Sequence, residues 1–267
     1  MRTFLKAESF YLRKDTVLRT VCLILLAASV GLVIWIRSAG GGRQIENLLE
    51  PFGTIMSVSL LLYFILPFHT CFFSTEGFES GTIKNVIASG TSRSHYFFGK
   101  FVAELKIILW AMLQFYAVYL IVFYLAALAS GADIGHTGLA EQAAFVVTAI
   151  LYNVLYLTAY AAVVLMIGFI VWKTAIATIL SFAFIFGNLL IYGYGKDSVI
   201  PFVRTISEYS LMTQIFKFSG IYVENSQQVM LTSVQDHLTA VTIPCILIVI
   251  CLLIGFSAFK IRDIQTD

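Results

Sequence analysis

Tyr152, Tyr156 and Tyr160 recur every four residues, with Asn153 beside the first, a spacing that puts the three phenols on one helix face. Gln114, Tyr116 and Tyr119 form a second polar-aromatic group within another apolar stretch. Away from water such groups need hydrogen-bond partners, so their faces should look at protein, at trapped water or at an amphipathic ligand. That leaves a helix or subunit contact, or a lining for substrate. A different set of groups crowds residues 74–101, where Glu76, Glu79, Ser80, Gly81, Thr82, Ile83, Lys84 and Asn85 are followed by Gly90, Arg93, Tyr96, Phe97, Gly99 and Lys100. Here Ser80 or Thr82 is expected to cap a short helix running through Ile83, Val86, Ile87 and Ala88, and Gly90 to stop it. So short a helix does not stand alone in water. It must dock on the protein's own surface, on lipid headgroups or on a partner.

Catalytic signatures are missing. The sequence has no H-E-x-x-H and no G-x-S-x-G, and no pair of aspartates inside an apolar run that could share acid–base work. Phe98-Gly99-Lys100-Phe101 comes nearest to a phosphate loop, but lacks the upstream Gly and the following Ser or Thr. The expectation is a chain that is not itself an enzyme. Cys22, Cys71, Cys245 and Cys251 lie in apolar stretches without metal-ligand spacing, and His69, His95, His136 and His237 are scattered, so no metal or haem site is expected. Arg19, Glu104, Lys106 and Lys173 fall near the ends of apolar runs, where they can snorkel, and His69 lies about a turn from one such end. The deep interior should then hold only neutral groups, among them Ser57, Ser59, Gln114, Asn153, Thr158, Ser181 and Asn188. Ion-coupled carriers usually keep an ionisable side chain in mid-bilayer, so uphill transport here would draw its energy from another chain.

The elements that hold these groups follow from composition. Of 267 residues, 59% are apolar and 12% charged, with mean hydropathy +0.89; soluble domains carry about twice that share of charge. Lipid must be the solvent for much of the chain. Six stretches, about 18–37, 52–73, 105–129, 143–171, 174–194 and 239–259, are long enough to cross as helices, and their lack of two-residue alternation argues against a barrel. The apolar run Thr20–Ile36 exceeds a signal-peptide core and reads as an uncleaved first span. With the N-terminus inside, twelve Lys and Arg fall on the inner segments and five on the outer, which by the positive-inside bias puts both termini in the cytoplasm. Trp35, Trp110 and Trp172 lie near span ends, where indoles favour the headgroup layer. Residues 1–17 are amphipathic and suit the inner surface; 195–238 form a long outer segment in which short helices could follow Pro201. The expected fold is all-α, one membrane domain over 1–267. A net charge of +2 and no basic run give no reason to expect nucleic acid as a partner.

Together, the run from Glu76 and Glu79 through Gly81-Thr82-Ile83-Lys84-Asn85 to Arg93 and Gly99-Lys100 resembles the inner loop of ABC-2-type transporter permeases. The resemblance extends in outline to an amphipathic elbow, six spans and a long outer segment. It implies that the loop carries a coupling helix seated in an ATPase subunit, with Glu76, Glu79, Gly81, Thr82, Ile83, Lys84, Asn85 and Arg93 as coupling residues. It also implies two permease copies or two related permeases, ATP and magnesium on the separate ATPase, and a multi-pass protein of the bacterial plasma membrane. Size and motif look most like the branch that exports, or confers immunity to, antimicrobial and other amphipathic peptides. Gln114, Tyr116, Asn153, Tyr156 and Tyr160 would line the substrate pathway or the protomer contact. A self-contained secondary transporter or channel, a membrane scaffold or sensor, and an intramembrane enzyme are the alternatives.

Overall fold

A computed structural model describes residues 2–38, 44–45, 49–131, 133–134, 139–224, 227–231 and 233–262; Arg43 and His136 lie outside the described residues. The chain is all-helical, and six helices are long and apolar enough to cross a membrane, which makes this a multi-pass membrane protein. Helix α1 (Arg2–Lys14) is followed at once by α2 (Thr16–Ser38). Between them Asp15 accepts the Val17 and Leu18 N–H groups at 2.9 and 3.3 Å, satisfying donors that the first turn of α2 leaves unpaired.

The second crossing runs from Glu50 to Glu79. It comprises α3 (Glu50–Val58), a tighter turn at Ser59–Leu61 and α4 (Leu62–Glu79), with Pro67 inside. The short α5 (Thr82–Ala88) precedes α6 (Arg93–Ala129), whose 37 residues begin where Ser92 accepts the His95 N–H. At 1.5 Å per residue α6 is about 55 Å long, well beyond the ~30 Å hydrocarbon core, so one end projects past it. Helices therefore outrun the spans read from hydropathy, and 74–101 is mostly helix.

Helix α7 (Leu139–Val171) turns directly into α8 (Thr174–Gly195). Two short helices, α9 (Pro201–Glu208) and α10 (Leu211–Phe218), then lead to α11 (Val234–Ile261), which opens on a capping box between Ser233 and Asp236. Two-residue extended segments join the loops after α2 and α6, Gln44–Ile45 running parallel to Asp133–Ile134.

Helix α7 is the axis of the bundle, packed against α4, α6, α8 and α11. Some 67% of its apolar window is buried, against 22% for α2 and α11 and 17% for α8; the latter three keep apolar faces for lipid or for another chain. Helix α10 does not rest on the surface. Its Leu211, Met212, Ile215 and Phe218 are buried in the main core, because eight residues with five large apolar side chains gain more by entering the bundle than by covering it.

The start of α1, the α4–α5–α6 connection, the α7–α8 turn and the last turn of α11 meet at one end of the bundle. Glu8 and Lys100, Glu79 and Thr174, and Arg93 and the α11 carbonyls join them. The segments at this end carry twelve of the seventeen Lys and Arg.

Candidate functional site

At that end α5 stands as a knob between two glycines in the left-handed region, Gly81 at φ +68° and Gly90 at φ +94°. Side chains rarely adopt such values. Gly81 occupies the N-cap position with no side-chain bond; Ser80 instead turns back to the Glu76 carbonyl, 2.7 Å away, and meets the Thr82 hydroxyl at 3.0 Å. Neither Ser80 nor Thr82 caps the helix, because Gly81 already makes the turn. Ile83 is buried against an aromatic cluster that includes Tyr96, Phe97, Phe169 and Phe259, with Val86 and Ile87 packed beside it. Thr82, Asn85 and Ala88 remain exposed and Lys84 half-buried.

The charged residues around the knob hold the bundle's own ends. Glu79 accepts the Thr174 N–H at 2.7 Å and its hydroxyl at 2.8 Å, so it caps α8 from a neighbouring helix and supplies the negative charge that an N-terminus favours. Arg93 Nη1 donates to the carbonyls of Phe259, Lys260 and Arg262 at 3.0, 2.9 and 2.7 Å, the cationic counterpart at the C-terminus of α11. Glu76 accepts from the Tyr11 hydroxyl and so ties α1 to α4. The α7–α8 turn places Trp172 at φ +64°. Its ring stacks on Phe78 at 4.7 Å and lies 4.1 Å beneath the Arg262 guanidinium. Arg262 in turn donates to the Ile170 carbonyl at 2.6 Å.

One cluster differs from the sequence reading. Glu104 does not snorkel; it and His69 are both fully buried within the bundle. His69 Nε2 lies 3.3 Å from Asp15 Oδ2, and Nδ1 lies 3.5 Å from Glu104 Oε1 without hydrogen-bond geometry. Thr70 donates to Glu104 at 2.7 Å. Burial would raise the Asp15 carboxyl, but the hydrogen bonds from His69 and from the Val17 N–H outweigh it and hold it below its ordinary value. One turn closer to the end of the bundle, buried Lys100 pairs with Glu8 at 3.3 Å and sits 3.9 Å above the Phe73 ring. The interior thus contains ionisable groups, joining the α1–α2 junction to α4 and α6. The only local signal was Asp15 one residue ahead of a span; its partners lie 54 and 89 positions away and no spacing rule connects them. Among the described residues no group of His, Cys, Asp and Glu could hold a metal ion.

The polar-aromatic residues divide. Asn153, Tyr156 and Tyr160 are all fully buried on α7. Tyr63 donates to Asn153 at 2.9 Å and packs edge-on against Tyr160 at 5.5 Å, while Phe218 of α10 covers Tyr156 at 5.2 Å. Tyr116 joins the same core, and the hydroxyls of Tyr119, Tyr156 and Tyr160 have no hydrogen-bond partner among the described residues. Gln114 faces another way and donates to the Cys22 carbonyl of α2 at 2.7 Å.

No protein-family model matches the chain, and comparison with curated proteins finds no significant match.

Proposed function

We propose that this chain is the membrane-spanning, non-catalytic subunit of an ABC-2-type exporter in a bacterial plasma membrane. ATP and magnesium would act on separate cytoplasmic ATPase subunits, and a second permease copy or a related permease would complete the pathway. The observation that carries the reading is the knob. Helix α5 is clamped by two left-handed glycines, seated by Ile83 on an aromatic floor, and leaves Thr82, Asn85 and Ala88 uncovered. A rigid projection at the cation-rich end suits a cytoplasmic engine pushing on it. Glu79, Arg93 and Glu76 would pass that push to α8, α11 and α1 through the bonds described above.

The substrate class is an amphipathic molecule (peptide, antibiotic or lipid-like) moving between the two permeases. Asn153, Tyr156 and Tyr160 are covered by Tyr63 and Phe218, so they would meet substrate only if α4 and α10 parted from α7.

The test is co-purification with a candidate ATPase, the first choice being any stand-alone Walker-motif ATPase in a neighbouring reading frame. Glu79→Arg and Ile83→Asp would damage the α8 cap and the aromatic seat, so they confuse docking with folding. Asn85→Arg and Ala88→Asp alter only the exposed face. Each should reduce recovered ATPase at least about tenfold, as expected for a charge buried at an interface, and abolish substrate-stimulated hydrolysis. Full retention of both by the two variants sinks the docking role.

The buried His69–Glu104 pair, with Asp15 beside it at the α1–α2 junction, gives one rival substance, since buried ionisable groups within spans often serve ion-coupled carriers. Transport in vesicles that stops with a proton ionophore while ATP is plentiful, and is lost in Glu104→Gln, favours that carrier.

A further inference from the structure

Two clefts lie end to end along the outside of α1. One, about 710 Å³, opens between the α1–α2 junction and α6 and is walled by Leu12, Leu23, Leu26 and Trp110, with Arg13 and Arg19 at its rim. The second, about 440 Å³, continues from Arg13 along α1 to Lys6 and Lys106. The Arg19 guanidinium donates to the Arg13 carbonyl at 2.8 Å, which holds Arg19 beside Arg13, the residue that lines both clefts. No carboxylate lines either cleft.

The charges of these helices are segregated. The acidic groups of α1 and its junction face inward, Glu8 on Lys100 and Asp15 on His69; on α6 Glu104 is buried while Lys106, two residues on, is exposed. Among the described residues no carboxylate pairs with Lys6, Arg13, Arg19 or Lys106. Along α6, Lys106, Trp110 and Gln114 descend by one turn each, about 12 Å in all; the cations give way to an indole, and at the deep end Gln114 spends its amide on the Cys22 carbonyl beside the apolar wall of Leu23 and Leu26. An amphipathic anion with its charge at one end and hydrocarbon at the other matches that gradient.

We propose that this paired cleft is a binding site for an anionic phospholipid, the phosphate held by Lys6, Arg13, Arg19 and Lys106 and one acyl chain lying along Leu23, Leu26 and Trp110. Basic pockets between spans and their interfacial helices recognise acidic headgroups on these terms. The site needs only the membrane-spanning fold and does not depend on the exporter reading. The lipid would staple the outer side of α1 as Glu8, Asp15 and Tyr11 staple its inner side.

Native mass spectrometry of the purified full-length chain, offered equal phosphatidylglycerol and phosphatidylcholine, tests this. Wild type should retain the anionic lipid at least about tenfold over the zwitterionic one. A Lys6→Gln, Arg13→Gln, Lys106→Gln variant should fall to near parity. Arg19 is left in place because it braces α1. A matched variant at the same end, Lys84→Gln, Lys173→Gln, Lys260→Gln, loses the same charge and should keep the preference. Leu26→Trp, at a partly exposed position, fills the cleft with every cation retained and should also lose the lipid; its helical circular dichroism and elution volume check folding. Equal loss in the matched variant means diffuse surface charge and overturns the site. So does a preference that survives either the cleft triple or Leu26→Trp, and so does inorganic phosphate binding that ignores Leu26→Trp.

Discussion

Glu104 shows why a buried charge is costly to orphan. It has no solvent exposure, accepts from Thr70 and lies 3.5 Å from His69. Glu104→Ala takes the carboxylate away from His69 and Thr70, leaving them only Asp15 and the Leu66 carbonyl, and should cost about 3 kcal/mol, whereas Glu104→Gln can still accept from Thr70 and should cost about 1 kcal/mol. Unfolding in mixed detergent micelles would reveal a mere packing role if the two variants were equally destabilised. Asp15 carries a pH dependence of known sign. Its carboxyl is held below the ordinary value of 3.8, so its contribution is present above that value and lost as pH falls through the lowered one. Hydrogen exchange in residues 2–14 should accelerate below pH 3.8, and Asp15→Asn should remove the step. These residues were visible one by one in the sequence, but their grouping was not. Apolar-run boundaries left Glu104 free to snorkel at the end of a span, whereas the α1–α2 junction and α4 pack over that part of α6 and bury it.

Among the elements, the α7–α8 hairpin tests competing magnitudes. Trp172 in the left-handed region costs about 1–2 kcal/mol, while stacking on Phe78 and beneath Arg262 returns about 0.5–1.5 and 0.5–1 kcal/mol. Trp172→Ala loses the ring and keeps the strain; Trp172→Gly loses the ring and relieves it. The Gly variant should therefore be more stable than the Ala variant by about 1 kcal/mol, and the reverse order in thermal unfolding would show that strain there is unimportant. The tight hairpin at Trp172-Lys173 was readable because two apolar runs abut there. The knob was readable too, since Ile83, Val86 and Ile87 share a face between two glycines. Its cap was not, because a left-handed Gly81 and a Ser80 that turns backward differ from a side-chain cap only in backbone angles. The start of α6 was hidden as well: Tyr96, Phe97 and Phe101 read as loop among Ser, Arg and Lys, yet the packed partners from α7 and α11 make them core.

At the scale of the molecule, the side bearing α1, α5 and the last turn of α11 is proposed to be cytoplasmic on the charge bias alone. In an otherwise cysteine-free chain on intact cells, an impermeant thiol reagent should label Val199→Cys, which is 96% exposed, and leave Asn85→Cys untouched until the membrane is opened. Labelling of Asn85→Cys first would invert the topology. The sequence by itself determined that lipid is the solvent, that helices cross six times, and that cations gather on alternate connections, because hydropathy and charge are sums over local runs. Only the tertiary structure decided what the polar groups inside those runs do. It set Glu79 and Arg93 to cap distant helices, closed Asp15, His69 and Glu104 into one junction, and turned the α7 tyrosines inward while Gln114 went to α2. Each of those outcomes depends on which helix stands opposite, and a one-dimensional pattern carries no information about its neighbour.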